Sequence, residues 1–282
     1  MKKFFSCIIV LLCQLAFSNF SLAQSCCSKD LAFAKLASTK EFLADHPAPL
    51  PFSYTPASNG SMIVFRTQDG KDGRAYYLPS DKPTTKALII FHEWWGLNDY
   101  IKREAERWQK MLGNVDVYAV DLYDGKIATT PEEARTLVTS LDAKRAETII
   151  SALLTTVGKD MEIATLGWCM GGSWAFTAGV MAEERTRGIV MYYGFPEKEP
   201  KRIKPLKADV LYVWGTQDEG IKKNVVEHLQ REVEASGNKF FLHSFNADHA
   251  FANPSNPKHD AARAEEAEQL ALNFIKQKLR LE

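Results

Sequence analysis

LGWCMGGSW, Leu166 to Trp174, sets one cysteine among glycines: Gly167 lies two residues before Cys169, and Gly171 and Gly172 two and three after it. A chain clears side chains from around one residue to pack a strand end tightly, or to turn so sharply that a neighbouring Cβ would collide. The flanks bear on the choice. "IATLGW" reads as a buried strand, and Gly171 to Glu184 as a helix, so Cys169 falls on a strand-to-helix turn. A helix N-terminus there stabilises a thiolate and aims a backbone N–H at developing negative charge. Gly167 and Gly171 would relieve the crowding, and Gly172 would let the helix lie close to the sheet.

Outward from this turn the same rhythm covers the chain from Lys86. "ALIIF" is a continuous apolar strand followed by a helix from about Asn98 to Leu112. "VDVYAVDL" is the next strand. "TTPEEA" opens another helix, with Thr130 as cap, Pro131 in the first turn and Glu133 closing a capping box. "GIVMYYG", "VLYVWG" and "KFFLHSF" are further strands, with helices at Ile221–Ser236 and from about Lys258 to Leu281. Upstream, "SMIVFRT" and "GRAYYLPS" alternate as a hairpin around "QDGKDG". Alternating strands and helices without an internal repeat predict an α/β fold: a mostly parallel central sheet with helices on both faces.

The N-terminus is different in kind. Lys2 and Lys3 precede the apolar "FFSCIIVLLCQLAF", and Ser21 and Ala23 supply small residues before Gln24, the pattern of a cleaved secretory leader over residues 1–23. The apolar run is short of the ~20 residues a bilayer span needs. Export to the periplasm or the medium is expected; lipid anchoring at Cys26 is the lesser alternative, since Gln24 is large for a lipoprotein signal. Residues 24–60 read as an N-terminal arm, with an amphipathic helix over 28–45 and the extended "HPAPLPF" strap; residues 61–282 form one domain. The chain has 35 basic and 35 acidic residues, so no charge bias points to nucleic acid or an anionic surface. Cys26, Cys27 and Cys169 outlast the leader. Adjacent cysteines close only a strained ring, which leaves self-association, disulfide-linked or not, open and makes Cys169 the thiol to explain.

In a parallel sheet, ligands bind beyond the carboxyl ends of the strands. Cys169, Asp218 in "GTQDEG" and His249 in "NADHAF" all fall there, in the order nucleophile, acid, histidine. That is the chain order of α/β-hydrolases, and "GWCMG" matches their G-x-S-x-G elbow with sulfur in place of oxygen. His249 would share a proton with the thiol and deliver it to the leaving group, and Asp218 would orient the imidazole. Glu219 competes for the acid role. His46, His228, His243 and His259 have no partner that sequence can name. "FHEWWGLND" follows the strand "ALIIF", where such enzymes hold a second oxyanion donor, so the N–H groups of Met170 and Trp94 would form the hole. Glu93, beside two indoles, would be partly dehydrated at the mouth of the site.

Together "HEWWGLN", "DLYDGKIATTPEEA", "GWCMGGSWA", "GTQDEG" and "DHAF" resemble the dienelactone hydrolase (carboxymethylenebutenolidase) family from about Ala87 to the C-terminus. The resemblance implies an α/β-hydrolase fold and a Cys169–His249–Asp218 triad. It implies that Glu93 keeps the resting thiol protonated and takes its proton when substrate arrives. It also implies opening of a lactone or enol ester through a thioacyl intermediate, without metal or organic cofactor. Members that take dienelactone carry an arginine shortly after the histidine; here that place holds Asn253. A neutral or bulkier ester is expected instead, in a pocket lined by Trp95, Trp168 and Asn253. The rival readings are a non-catalytic ligand-binding protein on the same fold and a redox protein using Cys26 and Cys27, for which adjacent cysteines are poorly suited. The hydrolase reading requires an accessible Cys169 sulfur within ~6 Å of the His249 ring.

Overall fold

The computed structural model describes residues 33–56 and 59–282. The leader, Cys26, Cys27 and the start of the arm helix lie outside the described residues. Within them the arm is not one helix. A helical turn over 33–36 stops, and a second helix, α1 (Lys40–Asp45), begins after it. Ser38 and Thr39 hydroxyls bond back to the carbonyls of Ala34 and Leu36, and Thr39 Oγ1 then accepts the Phe42 N–H at 3.2 Å. Side chains that compete for backbone groups end one helix and cap the next.

The arm leads into an antiparallel hairpin, β1 (Ser61–Arg66) and β2 (Asp72–Leu78). Then come β3 (Lys86–Phe91), α2 (Asp99–Leu112), β4 (Asp116–Asp121), α3 (Pro131–Ser140) and α4 (Ala143–Val157). They are followed by β5 (Glu162–Trp168), α5 (Met170–Met181), β6 (Thr186–Tyr192), the short α6 (Pro200–Ile203) and β7 (Asp209–Gly215). The chain ends with α7 (Lys223–Ala235), β8 (Phe240–Phe245) and α8 (Ala261–Leu279). The eight strands form one sheet in the order β1-β2-β4-β3-β5-β6-β7-β8. β2 runs antiparallel to both its neighbours, and β4 through β8 pair parallel. The capping box at Thr130 and Glu133 is present. What the sequence pattern did not separate is α3 from α4: Asp142 caps a new helix by accepting the Lys144 N–H at 2.9 Å.

The strand order fixes where a site can form. From β3 the chain steps to β4 on one side, then returns to β5 on the other. That reversal opens a crevice at the carboxyl ends of β3 and β5. The β3 end carries "HEWWG" and the β5 end carries Cys169.

Candidate active site

Cys169 links β5 to α5 at φ 54° and ψ −122°, a left-handed conformation that costs a non-glycine residue about 1–3 kcal/mol. The surroundings hold it there. Its N–H donates to Tyr192 O at 2.9 Å, and Gly172 N–H donates to its carbonyl at 3.0 Å. A Cβ on Gly167 would sit 2.1 Å from Gly171 O, and one on Gly171 would sit 2.3 Å from Phe91 O and 2.5 Å from His92 O. The glycines are therefore the condition for the elbow to close against β3.

The acid and histidine meet as expected. Asp218 Oδ2 accepts from His249 Nδ1 at 2.6 Å, while Oδ1 accepts the N–H groups of Gly220 and Ile221 at 2.8 and 2.9 Å. Glu219 is exposed and takes no part in this pair. With Nδ1–H committed to the carboxylate, Nε2 is the nitrogen available to the thiol. The Cys169 sulfur and a ring nitrogen of His249 lie within 4.8 Å, and Nε2 is buried without a hydrogen-bond partner among the described residues. At this range the two groups act on each other: His249 opposes the rise of the thiol, and Cys169 adds to the rise of the imidazole.

Glu93 is buried on the neighbouring strand end. His92 braces the loop that carries it: Nε2 accepts the Leu122 N–H at 3.1 Å, so Nδ1–H donates to Glu93 O at 2.6 Å. Asn253 Nδ2 donates to Glu93 Oε2, and Asn253 Oδ1 accepts from Ser255. Asn253 thus ties down Glu93. Among the described residues, the backbone hydrogen bonds outside the regular helices and strands include none from the N–H of Trp94 or Met170, and the Met170 N–H acts on the Cys169 sulfur.

Burial dominates the electrostatics. It pushes the Cys169 thiol up, a shift that Glu93 adds to and that His249 and the Met170 N–H oppose. Glu93 rises to about 7 because of its burial, against the opposing pull of His249, Tyr193 and Asn253. Burial is the largest single influence on His249 and disfavours its cation, but Asp218 and Cys169 together outweigh it and lift the imidazole well above its ordinary range. Asp218 is itself held low by His249 and its two backbone donors, despite burial.

A cavity of about 490 Å³ opens beside the site, and Glu93, Trp95, Trp168 and Asn253 line it. Cys169 and His249 do not. Its far wall carries Arg103 and Arg107, paired with Glu104 and Glu268. Trp94 is fully buried and faces the arm rather than the cavity: Phe42 packs edge-on at 5.0 Å and His46 at 5.1 Å. His46 also reaches His249, ring centroids 5.0 Å apart. A ring nitrogen of His46 lies within 4.8 Å of both the Cys169 sulfur and a nitrogen of His249. Cys169 is 1% exposed, with His46 of the arm beside it, so the accessible sulfur expected from the sequence is not what this structure shows. No sequence signal named His46, which sits outside any motif and arrives by tertiary packing alone. Tyr193, at φ 38° after β6 with its ring 5.0 Å from His249, was likewise unforeseen.

A model of the dienelactone hydrolase family matches residues 74–279. This chain belongs to the dienelactone hydrolase family. It is a hydrolase of lactones or esters. Among curated relatives, the Aquifex aeolicus protein named "Putative carboxymethylenebutenolidase" is 27% identical over 228 residues, covering 77% of this chain and 98% of its own. Among solved structures, a dienelactone hydrolase-like promiscuous phosphotriesterase from metagenomic libraries superposes with a TM-score of 0.66. It is 16% identical, and the match covers 78% of this chain and 98% of that one. An esterase of Pyrococcus furiosus gives a TM-score of 0.61 at 14% identity, over 83% and 97% of the two chains. At those identities the likeness is one of fold. In this dienelactone hydrolase family member, Cys169 lies on the turn from β5 to α5, at the crevice that the strand order opens. Among the described residues no helix is long and apolar enough to cross a membrane.

Proposed function

We propose that this chain is an exported hydrolase that cleaves a lactone or small carboxylic ester with Cys169 as nucleophile, His249 as base and acid, and Asp218 as the orienting carboxylate. The observation that carries the reading is the 2.6 Å Asp218–His249 pair, beside a cysteine held at φ 54°. At rest the thiol is protonated, because burial raises it. Substrate fills the cavity, where Glu93 is the one member of the catalytic set that it meets. As the ester pushes Glu93 aside, that carboxylate, with a pKa of about 7, takes the thiol proton. The thiolate, supported by His249 and the Met170 N–H, attacks the acyl carbon. The oxyanion is held by the N–H groups of Met170 and Trp94. His249 protonates the departing oxygen, and water attacks the thioester through the same imidazole to free the acid.

Asn253 in place of an arginine after His249, and the pairing of Arg103 and Arg107 with acids, favour a neutral ester over a carboxylate-bearing lactone. Trp95 and Trp168 offer the stacking faces; Trp94 is covered by the arm. A thiol kept neutral until substrate moves Glu93 would also resist oxidation in an exported protein. Burial of Cys169 beside the arm favours a second reading, a ligand-binding protein that keeps the fold without turnover. Turnover of p-nitrophenyl acetate, abolished in Cys169→Ala with the fold intact, supports the first. Absent turnover, or equal rates in both chains, supports the second.

A further inference from the structure

The arm brings a third donor to a place where the hydrolytic mechanism needs only two. His46 is buried on α1's C-terminal side, its ring stacked on Phe42 at 3.8 Å and set against Trp94. Its Nδ1 lies 2.7 Å from Phe42 O. A carbonyl only accepts, so Nδ1 carries the hydrogen, and Nε2 presents a bare lone pair. That Nε2 is buried and has no partner among the described residues. His249 repeats the pattern: Nδ1–H is given to Asp218, and Nε2 is buried and unpartnered. The Cys169 sulfur lies close to both rings: the sulfur and one nitrogen of each ring are all within 4.8 Å of one another.

This is the arrangement by which proteins prepare imidazoles for a metal. A metal-bound histidine donates its other N–H to a carboxylate or a backbone carbonyl, which fixes the tautomer and aims the lone pair. Here one ring has the carbonyl and the other the carboxylate. We propose that His46, Cys169 and His249 form a binding site for a zinc ion, which closes the nucleophile and pins the N-terminal arm across the crevice.

The donor set and the charge both suit the ion. Zinc takes thiolate and imidazole at about 2.3 and 2.0–2.1 Å in a tetrahedron, which sets donor atoms about 3.3–3.6 Å apart. From an upper spacing of 4.8 Å, closure needs side-chain rotations of about 1 Å. Binding takes the proton from the Cys169 thiol, and from His249 Nε2 where the ring is cationic, and releases it to solvent. The thiolate and the nearby Glu93 carboxylate balance the two positive charges, and the fourth position is left for a solvent oxygen. The ion is an inhibitor that competes for the nucleophile; the hydrolytic steps need none of it. The site uses two residues of the proposed triad but does not depend on their turning over an ester.

Cobalt titration of the chelator-treated chain tests the site, because a cobalt–thiolate bond adds a near-ultraviolet charge-transfer band. The band is expected to saturate at one ion per chain, to be displaced by zinc, and to be absent in Cys169→Ser. His46→Phe, which keeps the stack on Phe42, and His46→Gln, which keeps a polar side chain, are each expected to weaken zinc binding about tenfold or more. Two variants are used so that misfolding of one leaves the other to decide. No band in the parent chain, or zinc affinity unchanged in the folded His46 variants, overturns the proposal. Ester turnover in the metal-free chain is scored separately. A chain that binds zinc but hydrolyses nothing defeats the nucleophile assignment, and one that hydrolyses esters but binds no zinc defeats the metal site alone.

Discussion

Replacing Glu93 by glutamine should make the protein's stability less sensitive to alkali. Glu93 is buried, and burial lifts its carboxyl from 4.5 to about 7. A folded state with the higher pKa holds its proton more tightly than the unfolded chain. The stabilisation is therefore complete below the unfolded pKa and is lost as pH rises through 7. Integrated between pH 5 and pH 8, the shift removes about 2.5 kcal/mol from the parent chain. Glutamine is the isostere of the protonated acid, can still accept from Asn253 and has no charge to bury, so Glu93→Gln is spared that loss. Groups remote from Glu93 titrate alike in both chains and cancel in the comparison. For a domain of this size the gap between the two melting temperatures should widen by about 5–10 °C from pH 5 to pH 8. Thermal denaturation followed by circular dichroism in matched buffers measures it. A gap that stays constant with pH, or narrows, would refute a buried carboxyl that ionises near neutrality.

Removing the donor in Asn253→Ala takes away a bond that holds the Glu93 carboxylate down, so the rising limb of the pH–rate profile for p-nitrophenyl acetate should move to higher pH. In Gly171→Ala the new methyl meets Phe91 O at 2.3 Å and His92 O at 2.5 Å. The elbow must shift off β3, at a cost of about 1–3 kcal/mol in urea denaturation and with loss of turnover. Iodoacetamide should alkylate Cys169 slowly at neutral pH, because burial keeps the thiol protonated, and faster at pH above 9. Rapid labelling at neutral pH without ligand would contradict the gating role of Glu93.

The glycine-flanked turn at Cys169, the alternation of strands and helices, and the places of Asp218 and His249 after strands could be read from the sequence because each rests on local chemistry. Glycines around Cys169 mark the strained turn, β-branched and apolar runs mark the strands of the sheet, and Asp218 and His249 follow strands whose ends must meet. Asp218 prevailed over its neighbour Glu219 because two backbone N–H groups and the imidazole all converge on it, a geometry that spacing alone does not specify. His46 lay beyond reach for the same kind of reason. Nothing in "ADHPAP" marks a ligand, and its place beside Cys169 depends on its stack on Phe42 and on Phe42 packing edge-on against Trp94, about fifty residues along the chain. The break at Thr39 and the division of α3 from α4 were hidden because a single Ser-Thr or Leu-Asp step interrupts an otherwise continuous helical pattern. Asn253, read as a departure at the substrate position, also ties Glu93 in place, a contact visible only once the β3 and β8 loops are side by side.

The most direct test is mass spectrometry of the chain quenched in acid during turnover of p-nitrophenyl acetate. One acetyl group on the peptide containing Cys169, absent in Cys169→Ala, is the predicted result. Turnover with the label on another residue, or turnover undiminished when Cys169 is replaced, would contradict the assignment of the sulfur as nucleophile.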